Sequence, residues 1–207
     1  MDLAFYVTAF ATLFVIIDPI GLAPLFIALT QGMDAKARRA IAFRSCAVAS
    51  ALLLAFGLVG EALLGFVGIS MAAFRIAGGA LLLLTALDML FERRQERRDE
   101  QAMERADPSV FPLAMPLIAG PGAIATVILL AGQAEGDLVK TLGVYAVLIS
   151  VILITLLLFL AGGPIERVLG KTGVNIVTRL LGMLLAALAV QFILTGLAEQ
   201  GFASGAS

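Results

Sequence analysis

The sequence predicts an all-α polytopic membrane protein with six transmembrane helices, arranged as two inverted three-helix repeats. The first observation is composition: 61% of the 207 residues are hydrophobic, and the mean hydropathy of +1.05 is too high for a soluble domain. The second is the presence of six apolar stretches that can each cross a hydrocarbon core of about 30 Å, which takes about 20 helical residues. The third is a pair of segments that recur in the same order in both halves of the chain.

We number the apolar stretches span one to span six in chain order. They lie near residues 3–29, 41–64, 71–91, 110–133, 140–163 and 174–197. Spans one and four are interrupted by proline and glycine, whereas the other four contain no internal proline. Proline removes a backbone donor and clashes with the preceding turn, so the helix should break at these points. An unpaired peptide group is costly in hydrocarbon, and a break at mid-membrane therefore indicates a binding site.

The breaks supply the candidate substrate-binding residues. Span one is interrupted at Asp18-Pro19-Ile20-Gly21 and again at Pro24, and span four at Gly120-Pro121-Gly122. The predicted site comprises Asp18, Pro19, Ile20, Gly21, Gly120, Pro121, Gly122 and Thr126. The freed amides at the amino end of a half-helix favour an anionic group such as a carboxylate.

Two of these residues have alternative interpretations. Asp18 could accept a substrate ammonium group or carry a coupling proton, or it could only cap the half-helix that begins at Pro19. Thr126 lies just beyond Pro121. Its hydroxyl could bind the solute or bond back to its own helix.

Internal similarity supports the repeat. Pro19 to Gln31 aligns without a gap to Pro121 to Gln133, at an offset of 102 residues. In the third span of each half, Arg75 and Gly78 correspond to Arg179 and Gly182. Each half has three spans, an odd number, so the second half must enter the membrane in the opposite orientation to the first. Broken helices in corresponding positions of two such halves are typical of secondary transporters. We expect residues 1–91 and 111–197 to form the repeats, joined by a charged cytoplasmic linker, 92–110, and followed by a tail, 198–207.

Other polar residues in the spans have structural and functional interpretations. Arg75 and Arg179 could extend to the lipid headgroups. Alternatively, each could pair across the halves with an acid or with the carboxyl end of a helix, as a gate or as a structural ion pair. Gly78 and Gly182 follow them by three residues and predict close helix packing. Gln191 in span six could hydrogen-bond between helices or line a cavity.

Charge sets the predicted orientation. The loops after spans one, three and five, with their flanks, contain eleven of the fourteen Lys and Arg residues. The positive-inside rule therefore places both termini on the periplasmic side of a bacterial inner membrane. The net charge of -1 does not favour a nucleic-acid partner. With no histidine and one cysteine, Cys46, we expect no metal site and no cofactor.

Several motifs together resemble a known family. They are D-P-I-G at 18–21, R-I-A-G-G at 75–79, F-P-L-A-M-P-L-I-A-G-P-G at 111–122 and R-L-L-G-M from 179. The chain resembles the MarC-related membrane proteins, which include small neutral amino acid transporters. This resemblance implies a six-span inner-membrane protein, some of whose relatives move alanine, glycine and similar amino acids, driven by protons. Family members often have Asn where Asp18 stands, so a titrating role for Asp18 does not follow from the resemblance.

The resulting hypothesis is a secondary active transporter of small neutral amino acids that works by alternating access, with H⁺ as the expected coupling ion. Alternatives are a non-transporting membrane factor of the same family and an exporter of another small solute. An intramembrane enzyme is a further alternative. It would need a constellation such as two mid-membrane aspartates, and Asp18 is the only acid clearly at mid-span. We therefore do not expect an enzyme, and the oligomeric state is left open.

Overall fold

The computed structural model describes residues 3–91, 108–134 and 137–201. Within these ranges the chain forms eight helical elements and no strand. The helices are α1 Leu3–Ile17, α2 Pro19–Leu29, α3 Ala35–Val67, α4 Met71–Leu90, the π-helical α5 Ser109–Ile118, α6 Pro121–Gly132, α7 Leu138–Leu160 and α8 Gly162–Glu199. The all-α prediction is therefore confirmed for the described residues.

The spans can be counted from helix length and hydropathy. Five stretches are long and apolar enough to cross a membrane: Leu3–Leu29, Ala35–Val67, Met71–Leu90, Leu138–Leu160 and Thr172–Glu199. Helices α5 and α6 are bent by 56° at their junction, and together they form either a sixth, broken span or a re-entrant loop. The described residues thus contain five spans, or six if the bent pair crosses the membrane.

Several helix ends differ from the predicted span boundaries. Helix α3 begins at Ala35 rather than near residue 41, because the Asp34 carboxylate caps it by accepting a hydrogen bond of 2.6 Å from the Ala37 amide. It ends at Val67 and is followed by Gly68, which has a φ of 79°. Helix α8 extends to Glu199, past the predicted end at residue 197. Most of the predicted cytoplasmic linker, residues 92–107, and tail residues 202–207 lie outside the described residues.

The helices are interrupted where proline and glycine predict it, with one exception. Helices α1 and α2 are separated by Asp18, whose backbone is left-handed, and α5 and α6 by Ala119 and Gly120. The predicted second interruption of span one at Pro24 is wrong. Helix α2 runs through Pro24, because a single proline removes one hydrogen bond of the ladder without ending a helix whose neighbours hold it in place.

Proline also explains the irregular geometry of α5. Phe111 and Met115 have extended backbone dihedral angles, and each immediately precedes a proline. The ring of a proline disfavours the helical conformation of the residue before it. The chain before Gly120 is therefore a distorted helix rather than a continuation of α6.

The most extensive helix pair is α4 with α8, and it is antiparallel. Glycines bring the two backbones together at three levels: Gly196 lies against Ala72 and Ile76, Gly79 against Ala189 and Ile193, and Gly182 against Ala86 and Met89. An added Cβ at Gly79 would lie 2.8 Å from the carbonyl oxygen of Ala189. Small residues allow this close approach, as is usual between membrane helices.

The helices that follow the two breaks, α2 and α6, lie in the interior. Helix α6 packs between α3 and α4, where Gly57 and Gly60 face Val127 and Ile128. Helix α2 packs between α7 and α8, and the rings of Phe26 and Phe159 stack with centroids 4.4 Å apart. The two contacts correspond: α6 packs on the two helices that follow α2, and α2 packs on the two helices that follow α6.

We expect Gly79→Ala to destabilise the protein, although alanine gains about 1 kcal/mol over glycine in helix propensity. The added methyl group would collide with the backbone of α8, and overpacking of this kind costs about 1–3 kcal/mol. The melting temperature can be measured with a thiol-reactive dye, because Cys46 is buried and becomes reactive on unfolding.

Gly65→Ala is the matched control, because Gly65 is also helical and has no atom within 4 Å of the added Cβ position. It is expected to melt at or above the wild-type temperature. Equal melting temperatures for the two variants would contradict close packing of α4 on α8.

Candidate functional site

Asp18 is completely buried at the first break. Its backbone has φ 55° and ψ 61°, and its Oδ1 accepts a hydrogen bond of 3.1 Å from the Gly21 amide. Aspartate and asparagine tolerate this left-handed conformation better than other non-glycine residues. The capping interpretation of Asp18 therefore describes its geometry, and it does not exclude a role in binding.

The residues after Asp18 adapt the first turn of α2 to its carboxylate. Pro19 occupies the first helical position, where its missing amide hydrogen has no cost. Gly21 is required because a side chain there would collide with the Asp18 carboxylate. Pro19 and Gly21 are buried and Ile20 is half-buried. The amino end of α2 is thus capped by the Asp18 side chain.

The second break has a different cap. Helix α6 begins at Pro121 with Gly120 as its N-cap, and no side chain of the described residues caps it. Gly120 occupies the position of Asp18 in the repeat register. A Cβ at Gly120 would lie 2.6 Å from the carbonyl oxygen of Pro116. Packing therefore excludes a capping side chain at this position.

Thr126 follows Gly122 by one helical turn and is completely buried. Its hydroxyl has no hydrogen-bond partner among the described residues. The buried Thr12, Thr30 and Thr155 each donate to a carbonyl of their own helix. Thr126 does not make this bond, so the back-bonding alternative is wrong.

The two breaks lie side by side. An added Cβ at Gly122 would lie 2.6 Å from Cδ1 of Ile16 and 3.4 Å from Cδ2 of Leu82. Ile16 is two residues before Asp18, so the amino end of α6 faces the first break directly. Of the other predicted site residues, Gly120 is half-buried and Pro121 is exposed. Pro121 therefore contributes through its backbone rather than its side chain.

Ile16 and Leu82 were not predicted from the sequence. Both are buried aliphatic residues in apolar helices, and no local pattern distinguishes them from other core residues. Only their contact with Gly122 places them at the breaks. Among the described residues, no group of three or more acidic or thiol side chains is arranged to hold a metal ion.

The two arginines have different environments. The Arg75 side chain is 7% exposed and forms an ion pair with Glu199, which is 42% exposed. Beside this pair, Gln200 Nε2 donates a hydrogen bond of 3.0 Å to Ser70 Oγ. These contacts join the start of α4 to the end of α8. The positive charge of Arg75 also interacts favourably with the dipole at the carboxyl end of α8. Arg179 is exposed, so the correspondence between the arginines in sequence does not extend to their burial.

Gln191 takes neither of its predicted roles. Its side chain is exposed, and its Nε2 donates a hydrogen bond of 3.3 Å to Thr195 Oγ1 one turn along the same helix. Ala189 and Ile193 contact α4, and helical geometry directs the neighbouring Gln191 away from that interface. It therefore neither links helices nor lines a cavity within the described structure.

Comparison with known proteins identifies the family. Residues 3–200 match the model of a family described as MarC family integral membrane protein. The chain belongs to the MarC family. Similar MarC relatives include a UPF0056 membrane protein of Methanocaldococcus jannaschii, 39% identical over 201 residues, covering 95% of this chain and 98% of the relative.

Bacterial relatives are similar over the same extent. The UPF0056 membrane protein YvbG of Bacillus subtilis is 37% identical over 207 residues, covering 95% of this chain and 96% of its own. The UPF0056 membrane protein YhcE of Escherichia coli is 34% identical over 201 residues, which cover 95% of this chain and 93% of the relative. No solved structure matches this chain. The MarC resemblance seen in the sequence is therefore confirmed.

We expect Asp18→Ala to lower stability more than Asp18→Asn. Alanine loses the cap, worth about 1 kcal/mol, and adopts the left-handed backbone at a further cost of about 1–2 kcal/mol. Asparagine retains both properties. Asp34→Ala is the control, because Asp34 also caps a helix but has an extended backbone. If Asp18→Ala melts no lower than Asp18→Asn, the capping geometry is contradicted.

Removing Glu199 is expected to destabilise the protein by leaving buried Arg75 without its carboxylate. Breaking a fully buried ion pair lowers the free energy of unfolding by about 3–5 kcal/mol. The loss in Glu199→Ala should be smaller, because Glu199 is partly solvated. Replacing both partners, as Arg75→Met with Glu199→Leu, should recover most of the loss. Glu61→Ala, at an exposed position of α3, should leave the melting temperature unchanged. A Glu199→Ala variant as stable as Glu61→Ala would show that the pair contributes nothing.

Proposed function

We propose that this MarC-family protein is a secondary active transporter of small neutral amino acids such as alanine and glycine. The observation that carries the proposal is the contact between the two breaks, where Gly122 lies against Ile16 beside Asp18. Broken helices in corresponding positions of two halves are the feature expected at a transporter's binding site. Irregular backbone at membrane depth is tolerated where it is buried in protein or lines a water-filled cavity.

The polar groups at the breaks suit a zwitterion. The buried Asp18 carboxylate offers an acceptor for an ammonium group, and the amino end of α6 offers donors for a carboxylate. Ile16 and Leu82 approach Gly122 closely, which favours a solute with a small side chain. Alanine and glycine combine these properties.

The packing of the helices supports alternating access by inverted repeats. Helix α6 packs on α3 and α4, and α2 packs on α7 and α8. Each half-helix thus contacts the second and third spans of the other proposed repeat. Two such repeats, related by an axis in the membrane plane, can expose a central site to one side and then to the other. We propose H⁺ as the coupling ion, an inner-membrane location and termini on the periplasmic side.

Transport can be tested in liposomes with the purified protein. Labelled alanine and glycine are expected to accumulate when a proton gradient is imposed, and not when the gradient is collapsed by an ionophore. Asp18→Asn should retain the helix cap but lose accumulation driven by the gradient. Asp34→Asn, at an exposed cap far from the breaks, is the matched control and should transport like the wild type.

The alternatives predict other outcomes. Accumulation that survives unchanged in Asp18→Asn would retain the transporter and restrict Asp18 to capping. If folded wild-type protein moves neither amino acid, the substrate assignment is wrong. A non-transporting factor, or an exporter of another small solute, would then replace it.

A further inference from the structure

The two half-helices that begin at the breaks satisfy their first amides in different ways. In α2, Asp18 supplies a carboxylate that accepts from Gly21. In α6, the corresponding N-cap is Gly120, which has no side chain, and the residue corresponding to Gly21 is Ala123. The first break thus contains an anion from the chain itself, and the second has none at the equivalent position.

The open end of α6 is enforced by packing. Any side chain at Gly120 would start within 2.6 Å of the Pro116 carbonyl oxygen, which is backbone and has little freedom to move. At Gly122 the neighbours are the ends of the flexible Ile16 and Leu82 side chains. The first turn of α6 therefore has no capping side chain from the described residues, and its residues Gly122 and Ala123 are buried.

Thr126 provides a second, independent indication of a ligand. Its side chain is completely buried and its hydroxyl has no partner among the described residues. Side chains on a helix lean toward its amino end, so Thr126, one turn after Gly122, points back over the first turn of α6. A buried hydroxyl without a partner is costly unless something else bonds to it.

We propose that the carboxylate of the solute binds at the amino end of α6. It accepts hydrogen bonds from the Gly122 and Ala123 amides and from the Thr126 hydroxyl, in the way that Asp18 bonds to α2. This assignment rests on the proposed function only for the identity of the solute. Its chemical class is a small monocarboxylate, and span four, rather than span one, is its anion-binding half.

The test is ligand binding to the purified protein in nanodiscs, measured by thermal shift and calorimetry. Alanine, alaninamide and propionate are the probes, because alaninamide lacks the carboxylate and propionate lacks the ammonium group. Thr126→Val removes only the hydroxyl, and Thr126→Ser retains it. Thr155→Val is the matched control, because Thr155 is equally buried in α7 but its hydroxyl donates to Val151.

Alanine and propionate are expected to raise the melting temperature of the wild type, and alaninamide is not. Thr126→Val should weaken alanine binding about tenfold or more, as expected for loss of a hydrogen bond to a charged group. Its melting temperature without ligand should not fall, because no internal bond is lost. Thr126→Ser and Thr155→Val should bind alanine with nearly wild-type affinity.

The inference would be overturned by alaninamide binding as tightly as alanine, or by Thr126→Val binding alanine like the wild type. Alanine transport in liposomes together with either result would retain the proposed function and reject only the carboxylate site. Propionate binding that depends on Thr126, without binding or transport of alanine, would support the site and reject the amino acid assignment. Absence of binding by both carboxylate probes would also reject the site.

Discussion

The structure depends on the requirement that backbone polar groups inside a membrane find their hydrogen-bond partners within the protein. Continuous helices meet this requirement internally, but each break frees amides and carbonyls. At the first break the freed end of α2 is capped by Asp18, completely buried and held in a left-handed conformation. At the second, the end of α6 begins with glycine and proline and has no capping side chain among the described residues. The two breaks therefore differ in how the first amides of the following helix are satisfied.

Close packing keeps the breaks next to each other. Glycines at three levels bring α4 and α8 into backbone contact, and the Arg75–Glu199 ion pair joins the start of one helix to the end of the other. This pair of helices supplies surfaces on which α6 and α2 rest. Because α4 and α8 are in contact along their length, the ion pair lies at the end of a tightly packed unit. Its geometry fits a structural bond better than a gate.

The interior of the broken spans combines polar and apolar contributions. Stacked Phe26 and Phe159 hold α2 against α7, and Gly57 and Gly60 admit α6 to the surface of α3. These contacts bury both half-helices, which is why Asp18 and Thr126 are completely shielded from solvent and lipid. Shielding strengthens hydrogen bonds to a charged group, because the local dielectric is low. At the proposed site, this shielding favours recognition of a small solute by few, strong contacts.

The sequence by itself determined the helical class, the approximate spans and the positions of the two principal breaks. These follow from hydropathy, from the missing proline donor and from glycine, all of which act locally. Local reasoning failed where neighbours decide: α2 continues through Pro24 and Gln191 faces outward. Pairing of Arg75 with an acid was one of two interpretations of the sequence, and only the structure shows that the acid is Glu199. Only the tertiary structure placed Ile16 against Gly122 and left the Thr126 hydroxyl without a bond to its own helix. Contacts between distant segments depend on how whole helices pack, and a linear pattern of residue types does not contain that geometry.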